Sequence, residues 1–537
     1  LEAGEMLEPS MRDPPSPNTP QAAEAEQGSS QQQAFAFLAD PATHDGNPVK
    51  RIDTHAATVF LAGSRALKIK RAVRFPFLDY STLERRKQAC EAELAVNSVF
   101  APELYRGVVA IRRGADGKLR LDGPGTVIEW AVEMCRFDEH ATLDHLALSG
   151  QIDAHLADAL ARAVVAAQAK YALVEPMPWI EALRTYIDEH ATAFAALPDL
   201  FARSDVEELA HAGRLAYERQ RELLIERGER GLIRHIHGDL HLGNVVLLGG
   251  RPVLFDAIEF SPLIASGDLL YDFAFLLMDL WERGLSSAAS IAFNRYLADT
   301  GRCLDLDALA LLPLYLSMRA AIRAKVTAER LRRGGDGEKS IAEEARRYFD
   351  WACRLLKPPS PRLLAIGGLS GTGKSALARA LAPEIGAAPG AVVLRSDTER
   401  KAVFGKAEHD RLPSEAYKSE VSLRVFAELT DKARRTIAAG HSAIIDAVFA
   451  KADERALVEA SASALGIPFR GIFLHADLAT RLSRVSGRAH DASDADAAIA
   501  RQQETYDLGT LNWTAVDAGG SLQVSLTRAK AALSAMR

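Results

Sequence analysis

The chain has 537 residues, more than one hydrophobic core usually serves, so at roughly 100–200 residues per domain about two to four folding units are expected. Hydrophobic residues make up 48%, charged residues 25%, and the net charge is −6, which sets aside disordered, fibrous and membrane-embedded classes and disfavours a duplex-DNA binder with its basic surplus. Cys90, Cys135, Cys303 and Cys353 form no Cys-x-x-Cys pair, and no apolar run reaches the roughly 18–20 residues that span a bilayer, so a cytoplasmic, reducing setting with no membrane partner is expected.

Residues 1–35, with the stretch "PSMRDPPSPNTPQAAEAEQGSSQQQ", are rich in Pro, Ser, Gln and Glu and read as a disordered tail, because they bury too little surface to offset their ordering entropy. "ATVFLAGSRALKIKR" at 57–71 predicts two strands joined at Ala62-Gly63-Ser64, "LERRKQACEAELAVNSVF" at 83–100 a helix, and "TVIEWAVEM" at 126–134 another strand. These define a small α+β lobe over about 36–134. Ala/Leu-rich helical periodicity then dominates a larger lobe, about 135–356. "KPPSPR" at 357–362 forbids helix continuation, and 357–361 is the candidate linker. From 362 to 537, apolar strands such as "RLLAIGG", "AVVLRSD", "SAIIDAV" and "FRGIFLHAD" alternate with helices, which predicts an α/β domain on a buried parallel sheet.

Two stretches carry chemistry. "IHGDLHLGNVVLLGGRPVLFDAIEF" at 236–260 supplies Asp239 as a base near an acceptor hydroxyl, with Asn244 and Asp256 as oxygen ligands for Mg²⁺. A hairpin turned at Gly249-Gly250 would return Asp256 alongside Asn244. The second stretch, Gly368-Leu-Ser-Gly371-Thr-Gly373-Lys374-Ser375, follows a predicted strand and opens a predicted helix. Its glycines let backbone N–H groups wrap phosphates at a helix N-terminus, Lys374 reaches the β- and γ-phosphates, and Ser375 ligates Mg²⁺. Asp397 and Asp446 end the next apolar strands, where carboxylates on one sheet edge converge on a ligand crevice.

His237-Gly238-Asp239, Asn244 and Asp256 resemble the catalytic and metal-binding loops of the aminoglycoside phosphotransferase family, relatives of protein kinases. "GDLLYDFAF", with Asp268 and Asp272, is similar to that family's structural segment behind the catalytic loop. The resemblance covers 36–356 and implies a two-lobed kinase fold using ATP and Mg²⁺. It also implies a strand lysine on the ATP phosphates, in "ALKIK". Lys68 and Lys70 share a strand face and spacing does not choose between them; Lys68 is preferred, with Glu93 as its helix partner and Glu91 as runner-up. Residues 133–135, with Glu133 and Cys135, take the hinge position where backbone groups would hold adenine. The single Gly63 replaces a Gly-rich loop, and "DAI" replaces Asp-Phe-Gly, so protein-kinase switching is not implied.

The C-terminal part, 362–537, resembles the P-loop kinases that include polynucleotide kinases, gluconate kinase and zeta-toxin-like kinases. On that resemblance Asp397 is the general base, Arg400 an acceptor-binding cation and Asp446 a Walker-B-like Mg²⁺ carboxylate. Arg481, Arg484 and Arg488 are similar to the lid arginines that close over phosphates.

The leading expectation is a bifunctional ATP-dependent kinase with one site per domain, acting on hydroxyl groups of a sugar, polyol or phosphorylated metabolite, with sequential action the simplest rationale for the fusion. A nucleic-acid 5′-hydroxyl kinase in the C-terminal half and a nucleotide-sensing regulator in one half are the alternatives. The acceptor is expected to be anionic if Arg319 and Arg323, four apart in "LSMRAAIRAKVTAERLRR", face the cleft; a solvated helix face is the other reading.

Overall fold

A computed structural model describes residues 20–75, 78–331, 337–487 and 492–534. The chain forms two compact units, residues 1–141 with 253–265 and residues 142–252 with 266–537.

The first unit is built on an antiparallel six-stranded sheet in the order Val49–Asp53, Ala57–Ala62, Arg65–Lys70, Thr126–Cys135, Tyr105–Arg113, Leu119–Leu121. The period of two in Arg65–Lys70 sends Leu67 and Ile69 to one face and Lys68 and Lys70 to the other. On the apolar face, Phe60, Leu67, Ile69, Ile111 and Ala131 pack with Ala34, Phe35 and Leu38 of the helix Pro20–Ala39. The expected disordered tail over 1–35 is therefore corrected for residues 20–35, which are helical; residues 1–19 lie outside the described residues. The apolar residues from Ala34 onward supply the buried surface that the polar composition lacks. Gln31 fixes the helix by donating to Glu129 Oε2 at 2.8 Å and to the Lys70 carbonyl at 3.0 Å while accepting from the Ala72 N–H at 2.9 Å.

The helix Leu83–Asn97 covers the lysine face. Thr82 caps it by accepting from the Arg85 N–H at 3.3 Å. Arg86, Ala89, Cys90, Glu93 and Asn97 recur at helical spacing on its buried side. Glu93 thus enters the interior, whereas Glu91 is exposed and pairs with Lys87 at 3.7 Å.

In the second unit a helix hydrophobic on every side, Leu269–Glu282, runs through the core, with every residue from Leu269 to Leu280 buried. Asp268 caps it by accepting from the Leu270 N–H at 2.7 Å and receives a bidentate pair from the fully buried Arg227, at 2.5 and 2.7 Å. Arg227 also reaches Asp305 at 3.1 Å. The same unit holds an all-parallel five-stranded sheet in the order Val392–Arg395, Ala443–Asp446, Leu363–Gly368, Phe469–His475, Thr514–Asp517. Its edge strand is stitched to the helix Ser286–Thr300: Asn294 Oδ1 accepts from the Val393 N–H at 2.7 Å, and Nδ2 donates to the Ala391 carbonyl at 3.1 Å. Among the described residues, no helix is long and apolar enough to cross a membrane.

The Arg227→Met substitution leaves Asp268 buried without its counter-ion, while Asp305 keeps Arg302 at 2.8 Å, and a cost of about 3–5 kcal/mol is expected. A lowered urea midpoint, followed by far-UV circular dichroism, checks this.

Candidate active sites

The loop 236–244 is held by groups from neighbouring helices. Asp272 and Asp279 lie two turns apart on the helix Leu269–Glu282, so they project from the same side. Asp272 accepts from the Gly238 N–H at 3.0 Å and from the His237 N–H at 3.3 Å, while Asp279 accepts from the Leu242 N–H at 2.9 Å. Arg319, only 3% exposed, donates to the Gly238 carbonyl at 2.9 Å and lies 3.7 Å over the Tyr271 ring. The solvated-face expectation is corrected for Arg319, which is a buried strut under the loop 236–244. Arg323 stacks 5.5 Å from the Tyr348 ring, and its charge is felt at Asp239 and Asp279.

On this frame Asn244 Nδ2 donates to the Asp239 carbonyl at 2.9 Å and to its Oδ2 at 3.1 Å. Its Oδ1 remains an acceptor suited to a hard cation. His241 Nε2 stands 3.5 Å from Asp239 Oδ2, while its Nδ1 accepts from the Gly243 N–H at 3.0 Å. Desolvation penalises the Asp239 charge, but His241, His237 and Arg323 outweigh it and hold the carboxyl below its ordinary value. Desolvation likewise opposes the His241 charge, and Asp239 overrides it, raising the imidazole.

The first unit gathers another cluster. Lys68 Nζ lies 2.8 Å from Glu93 Oε1 and 2.6 Å from Asp256 Oδ1. Lys70 reaches the other Glu93 oxygen at 2.5 Å and pairs with Glu259, which also accepts from the Tyr80 hydroxyl. Both lysines therefore meet Glu93, and Lys68 is the one at Asp256. Burial works against the Lys68 charge, yet Asp256 and Glu93 push its pKa well above the usual lysine value, so it stays a cation. Asp256 has φ 62°, a left-handed conformation rare outside glycine. It is sustained by the Asp256 N–H donating to the Tyr105 hydroxyl at 3.2 Å and by Asn97, which accepts from the Ala257 N–H at 2.8 Å. In the stretch expected as the hinge, the Cys135 N–H donates to the Leu104 carbonyl at 2.7 Å. Glu133 pairs with Arg65 at 2.9 Å.

In the parallel-sheet domain the P-loop joins the strand Leu363–Gly368 to the helix Lys374–Leu381, with Gly368, Gly371 and Gly373 all at positive φ. A Cβ on Gly371 would sit 2.6 Å from the Arg481 carbonyl oxygen, so the close approach there demands glycine. Lys374 Nζ folds back to the Leu369 carbonyl at 3.4 Å. Ser375 Oγ accepts from Arg395 at 3.3 Å, and Arg395 Nε lies 3.4 Å from Asp446 Oδ2. Asp397 stands in the first turn of the helix Ser396–Val403. Arg400, in the same helix, donates to the Ala416 carbonyl at 2.6 Å and feels the Asp397 charge. Arg481 is buried and donates to the Ser370 carbonyl at 2.9 Å, while Arg484 donates to the Thr372 carbonyl at 3.4 Å and the Gly520 carbonyl at 2.6 Å. Arg488 lies outside the described residues.

These folds and residue sets define a phosphotransferase. Residues 53–311 match the phosphotransferase enzyme family, and residues 363–508 match an AAA domain. The chain thus joins an aminoglycoside phosphotransferase-like domain to a P-loop kinase-like domain. Uncharacterized proteins of Mycobacterium tuberculosis and Mycobacterium bovis are each 29% identical over 472 residues, covering 85% of this chain and 90% of theirs. Among solved structures, a choline/ethanolamine kinase family protein from Mesorhizobium loti is 15% identical and covers 61% of this chain and 99% of its own, with a TM-score of 0.36. A gluconokinase from Sinorhizobium meliloti is 20% identical and covers 33% and 93%, with a TM-score of 0.25.

Sequence reasoning assigned no role to His241, Asp279, Glu259 or Arg395. His241 lay within the quoted motif, two residues from Asp239, but nothing in the spacing aims its ring. The other three act across long chain separations and carry no local signal.

The signs of the two shifts set the pH window. Depressed Asp239 contributes stability above its unfolded pKa of about 3.9, and that contribution is lost as pH falls; raised His241 contributes below about 6.5, and its contribution is lost as pH rises through its folded value. Asp239 is 41% exposed, so screening limits the pair to at most about 1 kcal/mol. The His241→Gln variant should lose more thermal stability relative to wild type at pH 5.5 than at pH 8.5. Equal losses at both pH values would contradict the ion pair.

Proposed function

We propose that the protein is a bifunctional ATP-dependent kinase that phosphorylates hydroxyl groups of small molecules, one site in each domain. The observation carrying this reading is that each domain has its own carboxylate set: Asp239 beside Asn244 on a loop fixed by Asp272, Asp279 and Arg319, and Asp397 and Asp446 beyond the P-loop strands.

At the first site Asp239 receives the acceptor hydroxyl. A carboxylate of depressed pKa is a weak base, so Asp239 orients the hydroxyl by hydrogen bonding and takes its proton once the oxygen has begun to bond phosphorus and the bridge to ADP is breaking. Lys68, kept charged by Asp256 and Glu93, orients the ATP phosphates. The oxygen donors of Ser375 and Asp446 at the second site fit Mg²⁺, and the Asn244 amide oxygen and the Asp256 carboxylate are each donors of the same hard kind. When bound, Mg²⁺ neutralises charge on the transferring phosphoryl group. At the second site the P-loop amides and Lys374 hold the phosphates, Asp397 accepts the acceptor proton, Arg400 faces the acceptor, and Arg484 covers the phosphates. Arg323, whose charge reaches Asp239, supports an acceptor with an anionic group at the first site.

The test incubates wild type, Asp239→Ala and Lys374→Ala with ATP and a cell metabolite extract, following masses that gain one phosphate. Asp239→Ala should slow one set of products about 10²–10⁴-fold, the range ordinary for loss of a proton acceptor, and Lys374→Ala should abolish another. A mass that needs both sites intact indicates sequential action. If neither variant changes ATP consumption or products, the two-kinase reading fails.

A further inference from the structure

The helical lobe and the P-loop domain are joined by an ion chain that ends on the residues read above as the second site's Mg²⁺ ligands. Arg395, at the end of the edge strand Val392–Arg395 and 11% exposed, places its guanidinium between Ser375 Oγ at 3.3 Å and Asp446 Oδ2 at 3.4 Å. Its Nη1 stands 3.9 Å from Glu408 Oε1. The other oxygen of Glu408 accepts from Arg295 at 2.7 Å, and Arg162 lies 3.5 Å from it. Arg295 belongs to the helix Ser286–Thr300 and is itself anchored to Asp158 at 2.5 Å. A cavity of about 260 Å³, lined by Asp158, Asn294, Arg295, Arg395, Thr398 and Glu408, opens beside this chain.

We propose that Arg395 is a latch: it occupies the metal position between Ser375 and Asp446 when nucleotide is absent, and entry of the Mg²⁺–nucleotide complex drives it onto Glu408. The inference rests on the proposed role of Ser375 and Asp446. A guanidinium and a divalent ion repel each other too strongly to share two oxygen ligands. The displaced cation finds a carboxylate within reach and room in the cavity. On Glu408 it competes with Arg295 and Arg162, which loosens the tie between the P-loop domain and the lobe carrying Asp239. Linkage makes the effect mutual, so a firm Arg295–Glu408 pair holds Arg395 on the metal ligands and disfavours the metal–nucleotide complex.

The test uses the full chain in a Lys68→Met background, which silences the first nucleotide site, and follows binding of a fluorescent ATP analogue as Mg²⁺ is titrated and, separately, in EDTA. Arg395→Met should lower the Mg²⁺ concentration at half-binding by about fivefold or more, the lower end of ordinary coupling, without changing affinity in EDTA. Arg295→Met frees Glu408 for Arg395 and should shift the midpoint the same way, with Arg295→Lys restoring it. Glu408→Gln removes the landing site and should shift it upward. Arg295→Met and Glu408→Gln both break the same interdomain contact, so a purely structural role predicts shifts of one sign, and that result overturns the latch. Weaker binding of Arg395→Met with and without Mg²⁺ also overturns it, because Arg395 would then be a phosphate ligand. If Lys374→Ala leaves the wild-type signal intact, the P-loop assignment itself fails, and this outcome is distinct from failure of the latch.

Discussion

The loop 236–244 depends on carboxylates of one buried helix. Asp272 and Asp279 place acceptors under the backbone N–H groups of His237, Gly238 and Leu242, where water has been excluded and each unmet donor would be costly. Asp268 and Arg227 anchor the start of the same helix through a bidentate pair in the core. Asp239 and Asn244 are therefore positioned by a frame whose polar groups are matched mainly to one another, and their geometry does not rely on substrate.

The two domains arrange their candidate sites by different means. In the first unit, charge comes from side chains: Lys68 and Lys70 share Glu93, and each takes a further carboxylate, Asp256 or Glu259. Such a cluster tolerates burial only because each cation has more than one counter-charge. In the P-loop domain the backbone provides the cradle, and the sterics at Gly371 show how little room a side chain would have. Arg395 then adds a guanidinium where a metal ion is expected, and it connects that cradle to the helical lobe through Glu408 and Arg295.

The elements that sequence reasoning located well are those whose signal is local. The strands Ala57–Ala62 and Arg65–Lys70, the helix Leu83–Asn97 and the parallel strands of the C-terminal domain follow from periodicity within a few residues. The N-terminal helix escaped because its polar composition masks an apolar end that packs on the sheet, and Gln31 finds partners remote in sequence. Arg319 looked like one member of a cationic face, yet burial and the Tyr271 ring turn it into a strut.

The sequence by itself determined the two kinase-like modules and the residue types of both candidate sets, because spacing along a strand, a turn or a P-loop is a property of neighbouring residues. Tertiary structure alone decided that Lys68 rather than Lys70 meets Asp256, that His241 lies beside Asp239, and that Arg395 bridges Ser375 and Asp446. Those pairings depend on the direction of side chains brought together from distant segments, and on burial, which decides whether a charge is a solvated bystander or must find a partner.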